Sequence, residues 1–136
     1  MEEKESQARA LLDKTNRQFN ECNALYHAAA QRCGLSDAAF WTLYALVTSC
    51  EPLNSAVAAM VKKGLLALCP GKGAHSGKIV TLTAEGRALA ERTVVPVIAA
   101  EEKAIRAFGL ASAEEMHRLA QRHLECLQRE FEKIAR

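Results

Sequence analysis

The chain has 136 residues, 49% of them hydrophobic, and a formal net charge of +2. This length suits one domain with a modest core, and the small net charge means that an attraction for an anionic partner must come from a local patch. No apolar run is long enough to span a membrane and the acidic N-terminus does not resemble a signal peptide, so we expect a cytoplasmic protein. The five cysteines are odd in number and form no CxxC pair, which argues against a zinc ribbon and predicts free thiols.

Three helices are predicted in the first half of the chain. The first covers residues 3–32, where apolar residues recur every three or four positions, and Gly34 is expected to end it. Ser36 is a typical N-cap for the second helix, which should end near Cys50. A shorter third helix is predicted from Asn54 to Lys63.

A β-hairpin is predicted after the third helix. Turn-forming residues mark its tip and β-branched residues its returning strand, namely Pro70, Gly71, Gly73 and Gly77, then Ile79, Val80 and Thr81. No acidic residue lies between Glu51 and Glu85, whereas four lysines do: Lys62, Lys63, Lys72 and Lys78. A cationic hairpin beside a helix that ends in paired lysines suits contact with a phosphate backbone.

The last third of the chain is predicted to be helical. Thr83 should cap a helix that kinks at Pro96 and is closed by Gly109. Ser112 begins an S-x-x-E capping box for the final helix, whose apolar residues again recur every three or four positions.

Amphipathic helices thus stand at both ends of the chain, with a small α/β module between them. A single small module cannot bury both apolar stripes, so we expect the terminal helices to pack on each other and on a second copy of the chain. The alternative is that the stripes face a core within one chain. The predicted organisation is therefore two dimerisation segments, 1–35 and 109–136, around a module with a linking helix, 36–108.

Three motifs follow one another in order: Gly34-Leu35-Ser36 with Phe40-Trp41-Thr42-Leu43, then Lys62-Lys63-Gly64-Leu65-Leu66, then Leu82-Thr83-Ala84-Glu85-Gly86-Arg87-Ala88-Leu89. In this order and spacing they resemble the MarR family of bacterial winged-helix transcription regulators, from Leu11 to Phe131. The resemblance implies a mainly α fold with a small β-hairpin wing, that is, a winged helix-turn-helix flanked by terminal dimerisation helices. It also implies a homodimer that reads a pseudo-palindromic DNA operator, most often as a repressor. Many such regulators lose DNA affinity when a small aromatic acid binds or a cysteine is oxidised.

One part of that pattern is missing. A helix-turn-helix needs about 20 residues, whereas only twelve lie between Cys50 and Lys63. Either the gene lacks the first helix of the motif, or the printed sequence omits residues between Leu53 and Asn54. We favour an omission, because the joint connects two well-matched segments and the loss of an interior helix would leave a large cavity in the core. Leu53 and Asn54 are then not expected to be bonded neighbours. A true deletion would favour a winged-helix protein-interaction module that does not read DNA.

DNA contact is predicted for residues of the third helix and of the wing: Asn54, Ser55, Lys62, Lys63, Lys72, His75, Ser76 and Lys78. For the wing residues the alternative is a solvated hairpin, and for the paired lysines it is interaction with the helix dipole. The prediction for Asn54 and Ser55 depends mainly on the family resemblance.

An effector pocket is predicted near four aromatic residues, Tyr26, Phe40, Trp41 and Tyr44. Cys22 is expected to pack in an apolar stripe, although a thiol- or metal-responsive sensor on the same scaffold is a further alternative. His123 and Cys126 are spaced as helix neighbours, with His117 nearby, but they do not complete a metal-ligand set. The sequence therefore gives no case for a metal or another cofactor. It also has no catalytic motif that would indicate an enzyme.

Overall fold

A computed structural model describes residues 2–48, 54–71 and 78–134, without the side chains of Asn54, Ser55 and Lys78. The described residues form six helices and two strands: α1 (Glu2–Arg32), α2 (Asp37–Thr48), α3 (Asn54–Lys62), β1 (Leu66–Pro70), β2 (Lys78–Leu82), α4 (Ala84–Arg92), α5 (Val94–Phe108) and α6 (Leu110–Ile134). The chain divides into two compact units, Met1–Val97 and Ile98–Arg136. The predicted mainly α fold with a small hairpin is confirmed.

The turn between α1 and α2 follows the predicted caps. Gly34 ends α1 with a φ of 71°, in the left-handed region that glycine adopts without a steric cost. The Leu35 N–H donates back to the Ala30 carbonyl at 3.0 Å, which satisfies one of the orphan carbonyls of the helix end. The Ser36 Oγ then accepts a hydrogen bond from the Ala39 N–H at 3.2 Å and caps α2.

The core lies within the first unit, where α1, α2, α3, β1, α4 and the start of α5 meet. Its buried members are all apolar: Ala30, Phe40, Leu43, Val57, Met60, Leu66, Ala90 and Val94. The side chains that pack around them include Leu35 and Leu82, so the ends of α1 and β2 are held against the same cluster. These described residues close a continuous core. The joint between Leu53 and Asn54 involves a residue outside the described part, so its prediction remains a prediction.

The two strands form an antiparallel hairpin. Leu66 pairs with Leu82 at the inner end and Pro70 pairs with Lys78 at the outer end. Leu66 is buried and Leu82 half-buried, whereas the outer residues Leu68 and Ile79 are exposed. The hairpin is therefore anchored at its base and extends away from the core, as a wing does.

The predicted kink at Pro96 occurs three residues earlier. Helix α4 ends at Arg92, and Thr93 leaves helical geometry with φ −118° and ψ −80°. A proline inside a continuous helix would lack an N–H and clash with the carbonyl four residues back, here that of Arg92. The break places Pro96 in the first turn of α5, where an N–H needs no helical partner. The Thr93 hydroxyl donates to the Leu89 carbonyl at 2.6 Å and holds the end of α4.

The capping box predicted at Ser112 is wrong, because α6 already begins at Leu110. Gly109 has a φ of 110°. Its N–H donates to the Ile105 carbonyl and its own carbonyl accepts from the Ala113 N–H, both at 2.9 Å. One glycine thus ends α5 and starts α6, so Ser112 lies in the first turn of the helix and not at its cap.

Both terminal helices leave their apolar residues exposed. Every residue of α1 from 2 to 25 is exposed, including four large apolar residues that are 51% to 73% exposed, Leu11, Leu12, Phe19 and Leu25. On α6, six large apolar residues are 45% to 78% exposed: Leu110, Met116, Leu119, Leu124, Phe131 and Ile134. Neither stripe is covered within its own unit. Cover by a second copy, and the alternative of a core within one chain, both stay predictions. Among the described helices, none combines the length and apolar character needed to cross a membrane.

Candidate nucleic-acid interface

Helix α3 presents one face to the core and the other to solvent. Ala56, Val57 and Met60 are buried. Four other residues are exposed and recur at helical spacing, namely Ala58, Ala59, Lys62 and Lys63, whereas Val61 is half-buried. The outer face therefore combines small side chains, which allow a close approach, with two cations near its C-terminal end.

The first residues of α3 are Asn54 and Ser55. In helix-turn-helix proteins, the N-terminal residues of the recognition helix contact base edges in the major groove. Asn54 and Ser55 lie at the end of α3 opposite the paired lysines, and their predicted contact with DNA stays a prediction.

Of the lysines predicted in the wing, only Lys78 lies on a described strand. Lys78 begins β2, opposite Pro70 in the strand register. Lys72, His75 and Ser76 lie outside the described residues, so their predicted DNA contacts stay predictions. On the described strands, Cys69 and Thr81 are exposed on one face of the hairpin, with the Cys69 Sγ 3.8 Å from the Thr81 Oγ1.

The C-terminal end of α3 is joined to the start of α4. Gly64 has a φ of 79°, and the Leu65 N–H donates to the Met60 carbonyl at 3.0 Å. The Thr83 hydroxyl donates to the Gly64 carbonyl at 2.6 Å and accepts from the Gly86 N–H at 3.0 Å. The predicted cap at Thr83 is confirmed, and its hydroxyl also reaches the end of the neighbouring helix.

The four aromatic residues of the predicted effector pocket come together in one cluster. Trp41 lies at its centre, with ring centroids 5.1 Å from Tyr26, 5.2 Å from Phe40 and 5.2 Å from Tyr44. Phe40 is fully buried, and the other three are half-buried. The cluster joins α1 to α2 and leaves part of three rings accessible, so a role in ligand binding stays a prediction.

A separate groove of about 350 Å³ lies in the same unit. It runs between the end of α2, the end of β2, the side of α4 and the start of α5, and is lined by Leu46, Val47, Leu82, Arg87, Ala90, Glu91 and Val95. Apolar side chains dominate its lining, with one guanidinium and one carboxylate among them. The sequence analysis did not identify this groove, because its walls come from four elements that only the tertiary fold brings together.

The cysteines do not form a described disulfide or metal centre. Cys22, Cys33, Cys69 and Cys126 each have a free thiol, and Cys50 lies outside the described residues. Cys22 is exposed on a stripe that its own unit does not cover, so its expected packing in that stripe stays a prediction. Over the part of the chain that the structure describes, no three His, Cys, Asp or Glu side chains are grouped as metal ligands would be.

Comparison with solved structures identifies the architecture. A crystal structure of the Mycobacterium tuberculosis transcriptional regulator MosR in complex with DNA matches 85% of this chain and 96% of its own, with a TM-score of 0.56 and 22% sequence identity. The chain has a winged-helix fold. No protein-family model matches the sequence, and neither does any curated protein.

Within the winged-helix fold, the predicted recognition helix and wing are α3 and the β1–β2 hairpin. Sequence reasoning missed two structural features of this region. One is the pair of small exposed residues on α3, Ala58 and Ala59, which could have been recognised as the complement of its buried positions. The other is the role of Gly86, where an added Cβ would lie 1.9 Å from the Leu65 carbonyl oxygen. No sequence pattern reports such a close approach.

Proposed function

We propose that the chain is a MarR-like transcription regulator that binds duplex DNA in the cytoplasm as a homodimer, and that it acts as a repressor at a pseudo-palindromic operator. The observation that carries this proposal is the outer face of α3, where small residues and Lys62 stand exposed, with the exposed Lys63 just beyond its end. The hairpin that follows adds Lys72 and Lys78 in the sequence. The fold is shared with a regulator whose structure was determined in complex with DNA.

In this proposal the two parts of the interface have different roles. Lysines contact phosphates, which gives affinity and register on the duplex without sequence choice. The N-terminal turn of α3 contacts base edges, where Asn54 can pair with adenine. The exposed methyl groups of Ala58 and Ala59 suit contact with a thymine methyl group.

The proposed second copy is supported by the exposed apolar faces of the terminal helices. Large contiguous apolar surfaces on a protein mark an interaction site. A two-fold dimer would cover the same residues on both copies and bring two α3 helices to the two halves of a palindrome. An obligate homodimer interface commonly buries more than about 2,000 Å².

A specific observation also supports a rival function. Only five residues, 49–53, separate α2 from α3, too few for a further helix and a turn. If the gene encodes this short connection, the chain would present a winged-helix surface without a complete helix-turn-helix and would serve as a protein-interaction module. Sequencing the gene across the Leu53–Asn54 joint, with the intact mass of the purified protein, separates the two cases.

We also propose that a small aromatic acid releases the DNA by binding against the exposed sides of Tyr26, Trp41 and Tyr44. Trp41 is the single tryptophan of the chain, so its fluorescence reports binding at this cluster. With salicylate as the probe acid, the fluorescence should be quenched over the same concentrations that release the DNA. If release occurs without quenching and is abolished by Arg87→Ala, the ligand binds in the groove beside α4 instead.

The test of DNA binding is fluorescence anisotropy of the purified protein with two duplexes, one selected by the protein from a random pool and one scrambled, across a salt series. The proposal predicts tighter binding to the selected duplex and a log affinity that falls linearly with log salt. Absence of binding to both duplexes at low salt would contradict it and favour the interaction module.

A further inference from the structure

Thr83 links two helices through a single hydroxyl group. The hydroxyl accepts from the Gly86 N–H at 3.0 Å, which caps α4, and donates to the Gly64 carbonyl at 2.6 Å, just beyond the end of α3. The Thr83 N–H donates to the Leu65 carbonyl at 3.1 Å. One residue thus satisfies backbone groups at the start of α4 and at the end of α3, groups that each helix leaves without an internal partner.

Gly86, in the first turn of α4, lies very close to the backbone that follows α3. A Cβ at this position would lie 1.9 Å from the Leu65 oxygen and 2.9 Å from its carbonyl carbon. The first turn of α4 therefore packs directly against the backbone that leaves α3. Because both contacts involve backbone atoms, side-chain rearrangement cannot relieve a displacement there.

We propose that Thr83 is a positioning residue for DNA sequence recognition: its donated hydrogen bond to Gly64 fixes the direction of α3. This inference rests on the proposed DNA-binding function. The core holds α3 through Val57 and Met60, but these apolar contacts are not directional. The bond from Thr83 is directional and acts at the C-terminal end of the helix.

The length of α3 makes its direction important. Its nine residues rise about 1.5 Å each, so a tilt of about 5° around the C-terminal end moves the N-terminal turn by about 1 Å. Hydrogen bonds to bases require donor–acceptor distances within about 2.7–3.2 Å, so this displacement would break them. Flexible lysine side chains tolerate it, because phosphate attraction is not strongly directional. Loss of the Thr83 bond should therefore reduce discrimination between duplexes more than affinity for any duplex.

The decisive variant is Thr83→Asp. Aspartate is a good N-cap, so the cap of α4 is retained, but an ionised carboxylate only accepts hydrogen bonds and cannot donate to Gly64. Thr83→Ser keeps both the cap and the donor. Ala84→Asp is the matched charge control, because Ala84 is the exposed first residue of α4 and leaves Thr83 intact. Each variant is measured by anisotropy on the selected and the scrambled duplex, with its thermal unfolding recorded in parallel.

For Thr83→Asp we expect the ratio of selected to scrambled affinity to fall about tenfold or more, the effect of one lost base contact. Thr83→Ser should keep the wild-type ratio within about twofold, since its donor is retained. Ala84→Asp should weaken both duplexes alike and leave the ratio unchanged.

Two results would overturn the positioning role. One is that the wild-type protein prefers the selected duplex and Thr83→Asp keeps the same ratio of selected to scrambled affinity. The other is unfolding of Thr83→Asp at the assay temperature, which would make the hydroxyl a requirement of the fold and not of recognition. If the wild-type protein binds neither duplex, the DNA-binding proposal itself fails, which is a different outcome.

Discussion

Helices α3 and α6 meet their surroundings in opposite ways. The nine residues of α3 include three buried side chains, and a hydrogen bond from Thr83, the cap of α4, holds the backbone at Gly64 just beyond its end. The 25 residues of α6 include one buried residue, Ala113, and expose six large apolar side chains. The short helix is thus held within its own unit, whereas the apolar face of the long helix has no cover from its own unit. From this difference we infer that α3 is positioned by its own chain, whereas the proposed second copy would cover the face of α6.

The largest expected effect is at the end of α3. Gly86→Ala would place a Cβ 1.9 Å from the Leu65 oxygen, so we expect the free energy of unfolding to fall by more than about 3 kcal/mol. Chemical denaturation measures the change. Gly34→Ala is the control, because no atom lies within 4 Å of its added Cβ. The left-handed φ of Gly34 should cost that control only about 1–2 kcal/mol. Equal losses in the two variants would contradict the close packing of α3 on α4.

The second prediction concerns the exposed face of α6. The paired substitution Leu119→Glu and Leu124→Glu places two charges in the proposed dimer interface. Each buried leucine contributes about 1.5–3 kcal/mol, so the dimer dissociation constant should rise by about 100-fold or more. Sedimentation equilibrium measures this change. Gln121→Glu, also on exposed α6, is the control and should leave the dimer intact. A wild-type protein that is monomeric at micromolar concentration would refute the proposed role of this face.

The sequence predicts which helices and strands form better than it predicts where some of them begin and end. The caps at Gly34, Ser36 and Thr83 depend on local chemistry, so all three could be read from the residues themselves. The break before Pro96 depends on the carbonyl four residues before the proline. The start of α6 depends on Gly109, whose N–H and carbonyl bond to the two helices on either side. Both effects shift a helix boundary by a few residues. The exposure of α1 and α6 could be expected from their excess of apolar surface. The groove beside Arg87 could not, since four separate elements form it.

The third prediction separates the roles of the lysines. Lys72→Ala and Lys78→Ala should each weaken selected and scrambled duplexes alike and reduce the salt slope by about one unit per lost phosphate contact. Asn54→Ala, at the N-terminus of α3, should instead act mainly on the selected duplex. Lys103→Ala on α5 is the control, because it removes an exposed charge that belongs to the other unit and to no predicted DNA contact. An unchanged slope for the two wing variants would show that the hairpin does not contact the DNA backbone.

The smallest effect is expected at the surface contact between α1 and α2. His27 Nδ1 lies 2.9 Å from an oxygen of Asp37, and both side chains are more than half exposed. Exposed pairs of this kind contribute about 0.2–1 kcal/mol, so Asp37→Asn should change the free energy of unfolding by less than about 1 kcal/mol. Thermal unfolding tests this estimate. A much larger loss would mean that the aromatic cluster alone does not hold α1 on α2.

Hydrogen exchange of the wild-type protein, with and without the selected duplex, tests the central claim most directly. If α3 is the recognition helix, amides of α3 and of the β1–β2 hairpin should become protected when DNA binds, and those of α6 should not change. Protection limited to α1 or α6, with α3 unaffected by DNA, would contradict the account.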